Sequence, residues 1–285
     1  MTVVRTADDL NRALSRHRGT GQTIGLVPTM GALHDGHMSL VAAARDRCDV
    51  VVVSVFVNPL QFAPGEDFDA YPRDEDRDVE VLQSAGTDLV FTPSVGEMYP
   101  EGASTSVSVG RLGEVLEGAH RPGHFDGVCT VVAKLFHIVA PDVAFFGQKD
   151  AQQVAVIKRM VRDLNFPVEI AVCPTVREAD GLAMSSRNSY LSPKDRQRAT
   201  VLYRALLAGR AALMGAADFD TAEKEMLKTL DNEAGVEADY ARIVDPDTFD
   251  VPRPQGPALL AIAARVGRAR LIDNLVWERS NASGS

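Results

Sequence analysis

The stretch TIGLVPTMGALHDGHMSLVAAAR, residues 23–45, reads as a strand from Thr23 to Val27 that runs into a glycine-containing loop. A helix then starts near Gly36 and turns Leu40, Val41 and Ala44 inward. The apolar run Val50 to Val57, broken only by Ser54, follows. A run with no polar alternation suits a strand buried on both faces, as in a parallel sheet covered by helices. Strand, loop, helix and buried strand in this order is the grammar of an α/β unit.

The same grammar extends in both directions. Thr6 with Asp9 can cap a helix through Arg16, and Asp74 to Ala85 reads as a helix with acids in its first turn. A strand is expected at Asp88 to Phe91, a helix at Gly127 to Val139, a strand at Val143 to Phe146, a helix at Gln152 to Leu164 and a strand at Val168 to Val172. Past about Pro174 the order changes. Two helices, Asp195 to Gly215 and Thr221 to Ala234, precede three strands, Ala238 to Val244, Ala258 to Ala264 and Arg270 to Leu275. The chain is therefore expected to be α/β over 1–174, a mostly parallel sheet with helices on both faces, with a smaller α+β domain over 175–285 whose tail frays after about 278.

Composition narrows the function classes. With 285 residues, 45% of them hydrophobic and 24% charged, the chain can bury a sizeable core, and general disorder is excluded. Its net charge of -9 argues against a nucleic-acid surface, which needs clustered cations. No apolar run approaches the roughly 18 residues of a membrane span. The polar, helix-patterned N-terminus does not read as a secretory signal, so the expected location is the cytoplasm. Cys48, Cys129 and Cys173 lie far apart and read as reduced, small apolar residues.

Three constellations can carry chemistry. Pro28 to His37 (PTMGALHDGH) follows a strand and opens a helix, where ligands of open parallel sheets sit and where free backbone N–H groups attract anions. His34 and His37, three residues apart, face the same way and can donate to one phosphate. The alternatives are that His34 caps the turn while His37 is a surface residue, or that His34, Asp35 and His37 ligate a metal. Phe146-Gly-Gln-Lys149-Asp150 again links strand to helix; Lys149 can neutralise phosphate and Asp150 can accept from ribose hydroxyls, unless Asp150 is simply a helix cap. Met184-Ser185-Ser186-Arg187-Asn188 can clamp a polyphosphate, although ordinary loops share that composition. Residues and spacing alone lead to a nucleotide-binding α/β enzyme.

Taken together, PTMGALHDGH, FVNPLQF with DAYPR, RPGHFDGV, FFGQKD with QQ, and VREADGLAMSSRNSYLSP resemble the pantothenate synthetase (pantoate-β-alanine ligase) family of the nucleotidylyl transferase superfamily, over about residues 1–275. The resemblance implies a Rossmann-like first domain and a C-terminal domain that closes over the ATP site. It implies ATP-dependent condensation of (R)-pantoate with β-alanine through a pantoyl adenylate, releasing AMP and pyrophosphate, in coenzyme A biosynthesis. ATP would be bound by Met30, Gly31, Ala32, Leu33, His34, Asp35, Gly36, His37, Gly147, Gln148, Lys149, Asp150, Val176, Met184, Ser185, Ser186 and Arg187. Of these His37 is the family's proton donor, His34 contacts phosphates, Lys149 assists the α-phosphate, and Ser185, Ser186 and Arg187 hold the β and γ groups. Gln61 and Gln153 would bind pantoate, with Asn58 and Tyr71 in the same cleft. Mg²⁺ would ride on the ATP phosphates with no direct protein ligand; Asp78 and Asp76 are candidate outer partners, or simply acids of a helix start. A cytoplasmic homodimer is also implied. The runner-up is a sister nucleotidylyl transferase acting on a phosphorylated acceptor. Ala151, where relatives commonly carry an aromatic, and Met38, where Leu is frequent, depart from the pattern without touching the expected chemistry.

Overall fold

The computed structural model describes residues 1–278 apart from Pro64, Asp67 and Pro254. The tail expected to fray after about 278 lies outside the described residues. The chain divides into two compact units, Met1–Gln148 with Val156–Pro174, and Lys149–Ala155 with Thr175–Ser285. Residues 149–155, placed in the first domain by sequence reading, thus group with the second unit.

In the first unit, strands β1 (Thr2–Val4), β2 (Ile24–Thr29), β3 (Val50–Val55), β4 (Leu89–Phe91), β5 (Val143–Gly147) and β6 (Glu169–Cys173) form one parallel sheet in the order β1-β4-β3-β2-β5-β6. Helix α1 (Ala7–Gly19) begins at Thr6, whose hydroxyl accepts from the Asp9 N–H. Helix α2 (Asp35–Arg47) lies over β2, β3, β5 and β6 and buries Leu40, Val41 and Ala44 against Val51, Val53 and Phe145. Val50 and Val52, equally buried, point to the opposite face of the sheet. Two buried faces explain why β3 reads as a continuous apolar run, each valine contributing roughly 1.5–3 kcal/mol by leaving water. Helix α3 (Glu75–Ser84) is capped by Asp74, which accepts from the Arg77 N–H. After the short α4 (Val95–Met98) and α5 (Glu117–His120), α6 (His124–Val139) packs on β2 and α1, and α7 (Ala151–Asp163) follows β5. β1 escaped sequence reading because a three-residue edge strand is too short to show a period.

From β2 the chain steps outward through β3 to β4, whereas β5 and β6 lie on the other side of β2. The direction of winding therefore changes between β2 and β5, and ligands of open parallel sheets bind outside the carboxyl ends at such a point. Residues 30–34 leave β2 there, and Gly147 ends β5.

The second unit contains α8 (Pro193–Arg198), α9 (Val201–Met214) and α10 (Phe219–Asp231), then β7 (Val236–Val244), β8 (Ala258–Val266) and β9 (Ala269–Trp277) in an antiparallel sheet of order β7-β8-β9. Leu202, Leu206, Met226 and Leu230 of the helices pack with Leu260 and Ile262 of β8. The single helix expected over 195–215 is two. At the break the Thr200 hydroxyl donates back to the Gln197 carbonyl at 2.8 Å, a local bond that competes with the helical ladder.

Asp273 of β9 is buried to 2% side-chain exposure and receives Arg177 through two nitrogens at 2.6 and 2.9 Å, while the guanidinium lies 4.2 Å above the Tyr203 ring centre. Removing one partner of a buried pair strands the other charge, at a cost of about 3–5 kcal/mol. Asp273→Asn is expected to lose stability of that order, read as a lower urea midpoint. Arg45→Met, which breaks a half-exposed pair with Asp88, should cost under about 1 kcal/mol.

Candidate functional site

The site begins where β2 runs out of partners. Gly31 has φ +80° and Ala32 has φ +51°, so two successive residues occupy the left-handed region that turns the chain toward α2. A side chain at Gly31 would place its Cβ 2.7 Å from an Asp78 carboxylate oxygen, which leaves glycine as the residue that fits. Asp78 projects from α3, is 3% exposed, and accepts the Ala32 N–H on Oδ2 and the Leu33 N–H on Oδ1, each at 2.9 Å. Burial raises its pKa even though these two bonds favour the charged form. A carboxylate whose oxygens hold the turn from behind is a brace for the loop, a part that sequence reading did not foresee. The one available sign was its position four residues inside a helix otherwise headed by exposed acids.

His34 and His37 come together at the start of α2 with ring centroids 4.1 Å apart. His34 is the N-cap, its Nδ1 accepting the Gly36 N–H at 3.1 Å, and His37 Nδ1 accepts the His34 N–H at 3.4 Å. His34 therefore caps the turn, and His37 answers it from the third helical position as the other half of a capping box. A ring nitrogen that accepts carries no proton, so each neutral imidazole bears its hydrogen on Nε2 and is fixed as an Nε2–H donor. The helix N-terminus adds its partial positive charge at the same place.

Asn58 and Gln61 meet through their side chains. They flank a single 3₁₀ turn, Pro59–Gln61, after β3, and both are buried. Asn58 Nδ2 donates to Gln61 Oε1 at 3.1 Å and to the Gly127 carbonyl at 3.0 Å, and Asn58 Oδ1 accepts from the Tyr99 hydroxyl at 2.8 Å. Gln61 Nε2 lies 2.8 Å from Met30 Sδ, so the amide assigned to pantoate touches the loop assigned to ATP. Tyr71 is buried in an aromatic cluster, edge-on to Phe62.

In the second unit, Lys149 and Asp150 lie in the 3₁₀ turn Gln148–Asp150, with Lys149 Nζ 3.5 Å from Asp150 Oδ1. The Lys149 carbonyl accepts from Asn274 Nδ2 at 2.8 Å, and Asn274 follows Asp273 on β9. Arg177, anchored on Asp273, also donates to the Gly181 carbonyl at 3.0 Å. The Met184 N–H bonds the Val176 carbonyl at 3.0 Å, which joins the two positions assigned to adenosine in the second unit. Ser185 caps the turn Ser186–Tyr190 by accepting the Arg187 N–H. Gln153 lies on the first turns of α7. Among the described residues no group of three or more His, Cys, Asp or Glu is arranged to hold a metal ion. The metal reading of His34, Asp35 and His37 finds no cage, and Asp78 is engaged with backbone.

Asp78→Ala would leave the Ala32 and Leu33 N–H groups buried without their acceptor, at about 1–3 kcal/mol each. The expected result is fast hydrogen exchange at these two amides with Leu26 in β2 still protected; unchanged protection at 32 and 33 would refute the brace.

Comparison with known proteins gives this geometry a family. Residues 2–276 match the model described as pantoate-beta-alanine ligase. The pantothenate synthetase of Thermoanaerobacter sp. (strain X514) is 53% identical over 279 residues, 97% of this chain and 99% of the relative. That of Acidobacterium capsulatum is 56% identical over 267 residues, 92% and 88% of the two chains. The crystal structure of pantothenate synthetase from Thermus thermophilus superposes with TM-score 0.92 at 52% identity, covering 96% of this chain and 99% of the other. A pantoate-beta-alanine ligase from Francisella tularensis, complexed with beta-gamma ATP and beta-alanine, gives TM-score 0.79 at 34% identity with 97% of each chain covered. With a family model matched over residues 2–276 and relatives more than half identical along nearly the whole chain, the chain belongs to the pantoate-β-alanine ligase family.

Proposed function

We propose that this chain joins (R)-pantoate to β-alanine at the expense of ATP, through a bound pantoyl adenylate. A carboxylate resists amine attack because it is negatively charged and has no leaving group. Its oxygen must first attack the α-phosphorus of ATP, breaking the bond to pyrophosphate and giving a mixed anhydride. The amine of β-alanine then adds to the acyl carbon, AMP departs with the bonding electrons, and the ammonium proton is lost. No acyl-enzyme is needed.

The first step gathers negative charge on phosphate oxygens, so fixed donors are the main catalytic resource. The observation that carries this reading is the imidazole pair of His34 and His37, with rings 4.1 Å apart at the helix N-terminus beside the winding change and each Nδ1 turned to a backbone N–H. His37 is assigned as proton donor and His34 as phosphate contact. Lys149 is assigned to the α-phosphate, and Ser185, Ser186 and Arg187 to the β and γ groups. Met30, Gly31, Gly147, Asp150, Val176 and Met184 would surround adenosine. Mg²⁺ commonly keeps its waters and few protein ligands, so it would be carried by the nucleotide's own oxygens. Family likeness supports a cytoplasmic homodimer; among the described residues no helix is long and apolar enough to cross a membrane.

The neighbours of the Gln61 side chain, Asn58 and Met30, are uncharged. A neutral amide can hold pantoate without withdrawing charge from the attacking carboxylate, whereas the sister transferases need cations for a phosphorylated acceptor. Pantoate-dependent exchange of pyrophosphate into ATP is the expected activity, and His37→Ala should lower it by about 10²–10⁴-fold. Exchange that ignores pantoate would sink the assignment. Gln153→Arg should still bind pantoate but slow single-turnover adenylation; an unchanged rate constant would refute the neutral-amide argument.

A further inference from the structure

The motif RPGHFDGV is left without a task by the chemistry above, yet its residues converge on the pantoate turn. His124 and Gly127, spaced by three, share one side of the first turn of α6, and Arg121 closes α5 just before it. Gly127 lies directly against the turn: a Cβ there would sit 2.2 Å from the Leu60 carbonyl oxygen and 2.6 Å from the Gln61 nitrogen. Its carbonyl receives Asn58 Nδ2. His124 Nδ1 is 2.8 Å from the Gln61 carbonyl oxygen, which also receives Arg121 Nη2 at 3.3 Å. Arg121 Nη1 lies 3.1 Å from His124 Nε2, and Glu66 holds the guanidinium by two bonds of 3.0 and 2.7 Å.

The tautomer follows from the partners. A carbonyl oxygen only accepts, so Nδ1 of His124 carries the hydrogen; a guanidinium only donates, so Nε2 presents a lone pair. Burial, with Arg121 next, pushes the pKa of His124 down to about 4 against the opposing influence of the bond to the Gln61 carbonyl and of Glu66 and Glu117, in keeping with a neutral ring.

We propose that His124, as the neutral Nδ1–H tautomer braced by Arg121 and Glu66, is a positioning residue that fixes the Gln61 carbonyl and so aims the Gln61 amide at pantoate. The proposal rests on the pantoate assignment of Gln61. The end carbonyl of a one-turn helix has no internal partner, so its direction is set by whatever donates to it. With both lone pairs engaged, the peptide plane cannot rock, and the amide stays where Asn58 and Met30 meet it.

The experiment compares His124→Ala and His124→Asn in the exchange assay. Asparagine places an N–H near the position of Nδ1 and restores the donor to Gln61. The alanine variant is expected to raise the pantoate KM by about tenfold while the ATP KM moves by less than about twofold, and asparagine should recover most of the loss. An unchanged pantoate KM, a parallel rise in both constants, or failure of asparagine to rescue would overturn the proposal. Nitrogen-15 correlation of the wild-type ring at neutral pH gives a check independent of any variant: protonation on Nδ1 is expected, and an Nε2–H tautomer overturns it. Absence of pantoate-dependent exchange in the wild type would instead overturn the ligase assignment beneath it.

Discussion

The backbone N–H groups that leave β2 set the terms for the candidate site. A parallel strand ends with donors that no neighbour satisfies, and the helix that follows adds its own unpaired first turn. This chain divides them. Asp78 accepts those of Ala32 and Leu33, and the imidazoles of His34 and His37 accept those of Gly36 and His34. The second pairing decides which ring nitrogen carries hydrogen, so a requirement of local folding fixes a property that phosphate chemistry can use. Capping draws on Nδ1 of each ring, and the proposed phosphate contacts would draw on Nε2.

Much of this was legible in the sequence, for identifiable reasons. The continuous apolar run of β3 required two covered faces, and the structure has them. PTMGALHDGH announced a strand-to-helix turn because only glycine suits its first left-handed position. Asp78 was hidden because an acid near a helix start is usually a dipole partner, and only the fold brings it against a loop 45 residues away. The brace of Asp273, Asn274 and Arg177 was hidden likewise, since a separation of 96 residues in sequence carries no local signal. The break between α8 and α9 turned on one hydroxyl bond inside a pattern that otherwise reads as helix.

Two of the buried carboxylates, Asp78 and Asp273, have parallel tasks. Asp78 stands behind the loop that bears the histidines, and Asp273 stands behind the segment that leads to Ser185, Ser186 and Arg187. Each oxygen of an ionised carboxylate accepts with similar strength, so one side chain can hold two donors that point the same way. An amide offers one acceptor and would turn its NH₂ toward the other donor. For Asp78 the donors are adjacent backbone amides, and for Asp273 they are the two ends of a guanidinium, a geometry that carboxylates match bidentately.

The turn proposed for pantoate is held by a different logic. Around Gln61 the contacts that set direction come from neutral groups or from a guanidinium already paired to Glu66, and they act on the backbone carbonyl as well as on the side chain. A bare cation at this place would attract the carboxylate of pantoate and lower its nucleophilicity toward phosphorus. Pairing Arg121 with Glu66 keeps its donors while cancelling most of its field. On the proposed assignment the arrangement separates two demands that a salt bridge would merge: it would orient an anionic substrate firmly and leave its charge available for the attack that the reaction requires.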